Sequence, residues 1–307
     1  MRPPATAQTI DLKKTHIMTI MAQCKASIKA HTPAQLWLLL HYLRHSFGPR
    51  WRSKFDPLFR IAARINHLLL NPILARLALF QLKISRKHQI AAYFAQHRVS
   101  KLQLGAGSNR LPGWLNSEAF APSSFTHSLK VARDYIFLDV CRPFPLEENS
   151  VDYIFHEHLI EHLDYQQGQF MLKECFRILK PGGRMRIATP NLEVFVRLFG
   201  NELNEEQHLF LAEYVRFNSE VWSSDLKYVQ NNKAVFTLNH ALRAWGHQFM
   251  YDYRTLADAA RAAGFINISR EEPQKSMDVN LSQLEMRKDM VNIYGTLIIE
   301  SQKPGIP

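Results

Sequence analysis

The spacing of apolar residues changes near residue 100 of this 307-residue chain. Upstream, apolar residues recur every three or four positions, as at Leu36, Leu39 and Leu43, which predicts amphipathic helices. Downstream, short apolar runs alternate with helical stretches, a pattern typical of a parallel sheet with helical crossovers. We therefore expect a helical basic extension over residues 32–98 and an α/β domain over residues 99–303.

The region before the α/β domain has few clear boundaries. Residues 1–31 show no apolar period and are predicted to form a disordered basic tail. The pair Asn71-Pro72 predicts the end of one helix, because proline often follows a helix C-terminus. Two shorter helices are expected after it, the second running from Ser85 to Gln96.

Seven strands are predicted in the α/β domain. The first ends at Leu104, and the others cover residues 115–117, 135–140, 151–155, 185–188, 265–270 and 294–300. Helices are expected over Gln166–Leu179, with one apolar stripe facing the sheet, and over Asp252–Ala263. The long insertion at residues 190–250 is rich in aromatic residues and is predicted to be a substrate lid or binding element.

Two glycines, Gly105 and Gly107, directly follow the first predicted strand. Glycine permits a sharp turn and leaves no side chain between the backbone and a ligand. A nucleotide-like cofactor requires such an edge at the end of a strand. The sequence therefore predicts a cofactor-binding turn at this position.

Four segments of the α/β domain occur in a fixed order. They are L-Q-L-G-A-G at 102–107, G-W-L-N-S-E at 113–118, L-D-V-C-R-P-F-P-L-E-E-N-S-V-D-Y-I at 138–154 with H-x-x-E-H-L at 158–163, and L-K-P-G-G-R-M-R-I at 179–187. Together they closely resemble the class I S-adenosylmethionine-dependent methyltransferases, in particular the type 11 group. The resemblance implies a Rossmann-like α/β fold, a seven-stranded methyltransferase sheet with helices on both faces. It also implies S-adenosylmethionine as the cofactor and methyl transfer as the reaction.

The same resemblance implies which residues bind the cofactor. Glu118 would accept hydrogen bonds from both ribose hydroxyls, Asp139 would accept one from the adenine amine, and the Val140 N–H would meet a ring nitrogen. Gln103 stands where many relatives carry an acid, so an amide hydrogen bond would replace a direct charge pair with the cofactor's amino group. The full implied set is Gln103, Gly105, Ala106, Gly107, Glu118, Asp139, Val140 and His156.

Histidines are the candidates for catalysis. The resemblance places His158 at the end of the fourth strand, beside the transferable methyl group, where it could act as a general base. His247 is the second catalytic candidate, and His240 and Asp252 are weaker ones. For His240 and His247 a structural role, as packed and hydrogen-bonded side chains, stays open.

The stretch around His158 also has a metal-binding interpretation. H-x-x-E-H at residues 158–162 matches a zinc-protease signature in which two histidines share a metal ion. That chemistry requires a long rigid helix and a third ligand, whereas this stretch directly follows a predicted strand. We therefore expect no metal site here, and expect Glu161 and His162 to make local hydrogen bonds at a helix start.

Basic residues are concentrated before residue 100. Residues 1–100 contain 16 lysines and arginines against only Asp11 and Asp56, a net charge of +14, whereas the whole chain carries +11. Such a segment attracts anionic surfaces, either phospholipid or nucleic acid, unless its side chains are merely solvated. Contact between residues 1–98 and an anionic membrane surface is therefore an expectation to be tested.

Cysteine content and hydropathy bear on location. The three cysteines, Cys24, Cys141 and Cys175, are widely spaced and odd in number, which favours a reducing compartment over a disulfide framework. No apolar run reaches the roughly 18–20 residues that span a bilayer. We expect a cytoplasmic protein, with peripheral membrane contact through the basic extension.

The expected function is methyl transfer from S-adenosylmethionine to a small-molecule, lipid or glycan-like acceptor. Two alternatives stay open: a non-catalytic module that binds the cofactor or a partner with the same fold, and a nucleic-acid methyltransferase guided by the basic arm. Nucleic acid is disfavoured, because no Asn/Asp-Pro-Pro-aromatic base-flipping motif follows the fourth strand. The acceptor atom and the oligomeric state are left open.

Overall fold

A computed structural model describes residues 71–119, 135–200, 202–222, 226–286 and 288–305. The predictions for the tail at residues 1–31 and for the helices before residue 71 lie outside these ranges. The chain divides into two compact units, residues 1–80 with 121–129 and residues 81–120 with 130–307. Of the first unit, the structure describes residues 71–80, which form the beginning of a helix. The second unit carries the sheet.

The strands are β1 Lys101–Leu104, β2 Leu115–Glu118, β3 Ile136–Phe137, β4 Val151–Glu157, β5 Leu179–Pro190, β6 Ile266–Glu271 and β7 Thr296–Gln302. The α-helices are α1 Asn71–Gln96, α2 Tyr165–Ile178, α3 Leu192–Arg197, α4 Glu205–Phe217, α5 Leu226–Asn231, α6 Lys233–Arg243, α7 Tyr253–Ala262 and α8 Met290–Gly295. Short 3₁₀ helices cover Ile160–His162, Ser219–Trp222 and Ala244–Gly246. None of the helices within the described ranges is both long and apolar enough to cross a membrane.

The seven strands form one sheet in the order β3-β2-β1-β4-β5-β7-β6. Neighbouring strands run parallel from β3 to β5, and β7 runs antiparallel to both β5 and β6. This is the Rossmann-like seven-stranded methyltransferase sheet predicted from the sequence, and the prediction is confirmed. The strand order reverses between β1 and β4, and in such sheets ligands bind outside the carboxyl ends of the strands at that switch point.

The prediction of two shorter helices after Pro72 is wrong. α1 runs unbroken from Asn71 to Gln96, where two shorter helices were expected; the helix predicted to end at this pair lies outside the described residues. Proline is compatible with the first turn of a helix, because the N–H it lacks would have no partner there. Near its end α1 reaches the sheet: the Tyr93 hydroxyl donates to the carbonyl oxygens of Lys101 and Gly113, each at 3.0 Å.

The predicted apolar stripe of α2 is buried against the sheet. Met171, Leu172, Cys175 and Ile178 are fully buried in the main core. Asp164 caps the helix through a reciprocal pair of hydrogen bonds with Gln167, which fixes where it begins. The helix ends at Ile178, before the glycine pair at 182–183 that was expected to end it, because β5 already pairs with β4 from residue 179 onward.

The insertion predicted at residues 190–250 folds into the helices α3 to α6 with a small core of its own. That core contains Phe195, Leu198, Phe210, Leu211, Tyr214, Ala241 and Met250. Its members come from α3, α4, α6 and the segment before α7, so the insertion is a helical layer with defined packing.

Candidate active site

The glycine turn, Gly105–Gly107, follows β1 at the switch point of the sheet. Gly105 and Gly107 have φ angles of +58° and +52°, in the left-handed region that favours glycine. A Cβ added at Gly105 would lie 3.0 Å from Leu159 Cδ1, whereas one at Gly107 would meet nothing within 4 Å. The backbone at Gly107 is therefore open to close approach by a ligand.

Glu118, the last residue of β2, is held at this turn. Its carboxylate accepts hydrogen bonds from the N–H of Gly107 at 2.8 Å and from the N–H of Ala119 at 3.0 Å. Within the turn, the Ala106 N–H donates to the Ser117 carbonyl at 2.9 Å. These bonds join the ends of β1 and β2, so one carboxylate is presented beside the open glycine backbone.

The other residues of the implied cofactor set are placed differently. Asp139 follows β3 with its side chain 42% exposed, and its Oδ1 accepts from the Cys141 N–H at 3.0 Å, while Val140 is buried. The Gln103 side chain is buried, and its Oε1 accepts from the Leu111 N–H at 3.4 Å. His156 is fully buried within β4, so its side chain does not reach the surface of the site.

His158 and Glu161 form a hydrogen-bonded pair just after β4. His158 Nδ1 lies 3.0 Å from Glu161 Oε1, and the Thr189 hydroxyl donates to Glu161 Oε2 at 3.0 Å. Burial would raise the pKa of the Glu161 carboxyl, but the hydrogen bond from His158 and the nearby imidazoles hold that pKa below its usual value. The pair orients the imidazole, with the proton on Nδ1 facing the carboxylate.

The remaining nitrogen of this imidazole, His158 Nε2, is buried and finds no hydrogen-bond partner among the described residues. The backbone at His158 has a φ of +49°, a conformation that costs a non-glycine residue of order 1–3 kcal/mol. Strained backbone of this kind clusters at functional sites. His158 is thus an oriented imidazole on a strained backbone with one nitrogen available to a ligand.

A cavity of about 470 Å³ opens beside His158. Its wall is formed by the loop after β4, the insertion helices and the segment around α8. Most lining residues are aromatic, imidazole-bearing or apolar; they include His158, His162, Phe195, Tyr214, Phe217, Trp245, His247, Met286, Asp289 and Val291. Among the described residues that line the cavity there is no lysine or arginine, and Asp289 is the one carboxylate.

Comparison with known proteins addresses the segment that carries the glycine turn and the His158–Glu161 pair. Residues 102–187 match the family model described as a methyltransferase domain. Over this segment the chain is similar to methyltransferase domains. Over 51 residues, the chain is 47% identical to a probable S-adenosylmethionine-dependent methyltransferase of Mycolicibacterium smegmatis. That alignment covers 17% of this chain and 19% of the relative, so the chain spans about a fifth of that relative's length.

Solved structures similar to this chain share little sequence with it. One is an S-adenosylmethionine-dependent methyltransferase of Thermotoga maritima, a possible histamine N-methyltransferase, with 18% identity, 81% of this chain and 98% of that chain covered, and a TM-score of 0.39. Another is phosphoethanolamine N-methyltransferase 2 of Haemonchus contortus in complex with S-adenosyl-L-methionine, with 14% identity, 71% and 52% of the two chains covered, and a TM-score of 0.37.

Of the two further histidines predicted from the sequence, His247 lines the cavity and His240 does not. His247 Nδ1 lies 2.6 Å from the Ala241 carbonyl oxygen, to which it donates. His240 is bound to the Tyr214 hydroxyl through Nδ1 at 3.0 Å, and burial lowers its pKa. Asp252 caps α7, accepting from the Thr255 N–H at 2.7 Å, so the structure does not bring it into the cavity wall.

The H-x-x-E-H stretch does not form the frame of a zinc protease. His158 lies on a turn, and residues 160–162 form one 3₁₀ turn, where that class of site needs a long α-helix. Glu161 is engaged with His158, whereas His162 points to His247, with ring centroids 4.9 Å apart. The two histidines of the motif therefore face different partners.

Sequence reasoning missed the segment that joins the glycine turn to the cavity. Met286 lines the cavity, its Sδ lies 3.5 Å from Ser108 Oγ, and its N–H donates to Glu157 at 3.1 Å. Asn109 donates to the Leu284 carbonyl at 3.0 Å. The segment has no periodic pattern or motif, so the sequence carried no local signal for this role.

Proposed function

We propose that this chain binds S-adenosylmethionine at the glycine turn and transfers its methyl group to an acceptor held in the cavity. The observation that carries the proposal is the arrangement of two sites at one edge of the sheet. The turn follows β1 and the cavity opens at the end of β4, on either side of the switch point. Met286 lines the cavity and contacts Ser108, the residue directly after the turn.

The residues at the turn fit the cofactor. The open backbone at Gly107 permits close approach, and the Glu118 carboxylate keeps lone pairs for a ribose diol beyond those that accept the two backbone N–H groups. Asp139 follows the next strand with an exposed carboxylate that suits the adenine amine. When bound, S-adenosylmethionine supplies an electrophilic methyl group on a sulphonium.

His158 is proposed as the proton acceptor for the attacking group. Glu161 fixes the tautomer by accepting a hydrogen bond from Nδ1–H, which leaves the unpartnered Nε2 as the basic nitrogen of a residue that lines the cavity. Such a base contributes typically about 10²–10⁴-fold in rate when the acceptor is a hydroxyl. His247 lines the same cavity and is proposed to act on the acceptor side of the site.

The cavity wall favours an uncharged acceptor. A phosphate or carboxylate would lose its hydration there, and none of the described lining residues is a lysine or arginine that would offset that cost. Aromatic and apolar side chains such as Phe195, Phe217 and Trp245 suit an apolar body, and the histidines suit a hydroxyl. A small molecule, a lipid or a glycan-like compound with a free hydroxyl meets this description better than the phosphate backbone of a nucleic acid.

Titration calorimetry with S-adenosylhomocysteine on the full chain tests the cofactor site. We expect micromolar binding by the wild type and at least about tenfold weaker binding by Glu118→Gln and Asp139→Asn, because each removes a charged acceptor. Asp258→Asn is the matched control, since this carboxylate is 59% exposed on α7 and pairs with Arg261. Folded wild type that does not bind would refute the proposal.

Turnover separates an enzyme from a non-catalytic binding module. The full chain is incubated with S-adenosylmethionine and a panel of uncharged hydroxyl-bearing acceptors, and formation of S-adenosylhomocysteine is measured. Acceptor-dependent product supports the enzyme. Tight cofactor binding without product across the panel favours the binding module.

A further inference from the structure

We propose that Glu161, His162 and His247 form a binding site for a first-row divalent metal ion, such as Zn²⁺, in the wall of the cavity. One ligand atom from each of these residues lies within 4.8 Å of the others. Ligands on one such ion sit about 2.0–2.2 Å from it, hence roughly 3–4 Å from each other. Small side-chain adjustments close the site around an ion.

The chemistry of the donors suits such an ion. Two imidazoles and one carboxylate are the ligand set that zinc and its first-row neighbours bind with an open coordination position. His162 and His247 both line the cavity, so that open position faces the space assigned to the acceptor. The arrangement is that of a reactive site with room for a ligand, in contrast to a closed structural site with four protein ligands.

Two of the three ligands, His247 and Glu161, are already oriented by side-chain hydrogen bonds. His247 donates its Nδ1 proton to the Ala241 carbonyl at 2.6 Å, which leaves Nε2 as the metal-binding nitrogen. Glu161 is fixed by His158 and by the Thr189 hydroxyl, each at 3.0 Å, and its oxygens retain lone pairs. Ligands of metal sites are held in this way by outer hydrogen bonds to carbonyl, hydroxyl and imidazole groups.

The backbone brings the ligands together without help from an ion. The Gln248 and Phe249 N–H groups donate to the Glu161 carbonyl at 2.7 and 3.2 Å. The Gln248 side-chain amide donates to the His162 carbonyl at 2.7 Å. Three hydrogen bonds thus tie the end of the insertion to the segment after β4, and the site is preformed.

Charge gives a further reason for a cation. Glu161 is fully buried, and in the described ranges no lysine or arginine forms an ion pair with it; the His158 imidazole meets it through a hydrogen bond. A buried carboxylate is costly unless it is paired or coordinates a metal. A divalent ion between Glu161 and the two other histidines meets that need.

This site differs from the one that the H-x-x-E-H motif suggests. The motif pairs His158 with His162, whereas the fold turns His158 toward Glu161 and supplies the third ligand, His247, from the end of the insertion. The expectation of no metal site followed from the lack of a third ligand near the motif. An action of the ion on the acceptor hydroxyl rests on the proposed function, but the metal site itself does not.

Metal binding is measured on the full chain without S-adenosylmethionine. Wild type and variants are stripped with a chelator, and Zn²⁺ is titrated in competition with a metallochromic indicator. We expect one tight equivalent in the wild type that is weakened at least about tenfold in His162→Gln and in His247→Gln. His208→Gln, which removes an exposed histidine on α4, is the matched control and should bind as the wild type does.

Absence of a tight equivalent in the wild type, or its retention in both ligand variants, would overturn the site. Loss of equal size in the control would show surface binding only and would overturn it too. A Co²⁺ absorption spectrum uses the wild type alone and therefore does not depend on whether the variants fold. If added Co²⁺ keeps the spectrum of the hydrated ion, the site is overturned as well. Zn²⁺ binding with no S-adenosylhomocysteine binding would leave the metal site standing and refute only the proposed function.

Discussion

Arg186 Nε donates to Glu285 Oε1 at 2.6 Å, and both side chains are buried. The same guanidinium binds Glu300 at 2.6 Å and the carbonyl oxygens of Lys275 and Glu272 at 2.9 and 3.1 Å. One cation on β5 therefore fastens the segment at residues 272–286, whose end reaches both the glycine turn and the cavity.

Replacing Arg186 with methionine should lower the free energy of unfolding by about 3–5 kcal/mol. The change leaves Glu285 and Glu300 buried without their cation, which is the costly way to break a buried ion pair. Urea unfolding followed by circular dichroism measures the loss. Arg184→Met is the control, because Arg184 is more exposed and lies 4.0 Å from its partner Asp278. Equal losses in the two variants would contradict the assignment.

Gly107→Ala should weaken S-adenosylhomocysteine binding at least about tenfold, because the substitution strains the turn and places a methyl group where the ligand approaches. Gly113→Ala is a matched control: its φ is +75° and its Cβ would also meet nothing within 4 Å. Both variants should lose about 1–2 kcal/mol of stability from left-handed backbone strain. Calorimetry distinguishes them, and equal affinities would place the cofactor elsewhere.

The stability of the protein should fall in acid through His156. Complete burial lowers the pKa of this imidazole from 6.5 to about 4, although Glu161 acts to raise it. The unfolded chain then binds the extra proton first, so the stabilisation is full above about pH 6.5 and is lost as pH falls toward about 4. The group accounts for about 3 kcal/mol over that window.

The measurement is urea unfolding at several pH values, comparing the wild type with His156→Leu. We expect a flatter pH profile in the variant between about pH 4 and 6.5, whatever its absolute stability. The exposed His208 gives the control, His208→Leu, which should keep the wild-type slope. Parallel profiles for all three proteins would show that His156 is not the titrating group.

With any acceptor that supports turnover, His158→Asn should lower kcat by about 10²–10⁴-fold. Affinity for S-adenosylhomocysteine should stay close to that of the wild type, because the side chain faces the cavity and asparagine tolerates a positive φ. Single-turnover rates with saturating cofactor measure the effect. An unchanged rate would show that His158 lines the cavity without acting as a base.

Much of the sheet follows from local sequence signals. Gly105 and Gly107 are predictable because only glycine adopts their φ angles cheaply, and the stripe of α2 is predictable from its period. The signal at Pro72 is locally ambiguous, since proline suits the first turn of a helix as well as the position after its end. Such ambiguity cannot be resolved without the neighbouring structure.

The acceptor side of the site depends on contacts between distant parts of the chain. His247 meets His162 through an edge-to-face ring contact, and Arg186 binds Glu285, which lies far downstream in the sequence. Neither pair has a spacing or motif that links its members in the sequence. The same reason hid Met286, which lies in an aperiodic segment and acts through its position alone.

The three hydrogen bonds from Gln248 and Phe249 to Glu161 and His162 have a consequence for how acceptor preference can diversify. They anchor the end of the insertion directly to the segment after β4 that carries Glu161 and His162. Helices α3 to α6 can then change in length, or be exchanged between relatives as one unit, while His162 and His247 keep their positions. A change of acceptor, whether by evolution or by grafting, would therefore alter the residues between those fixed points.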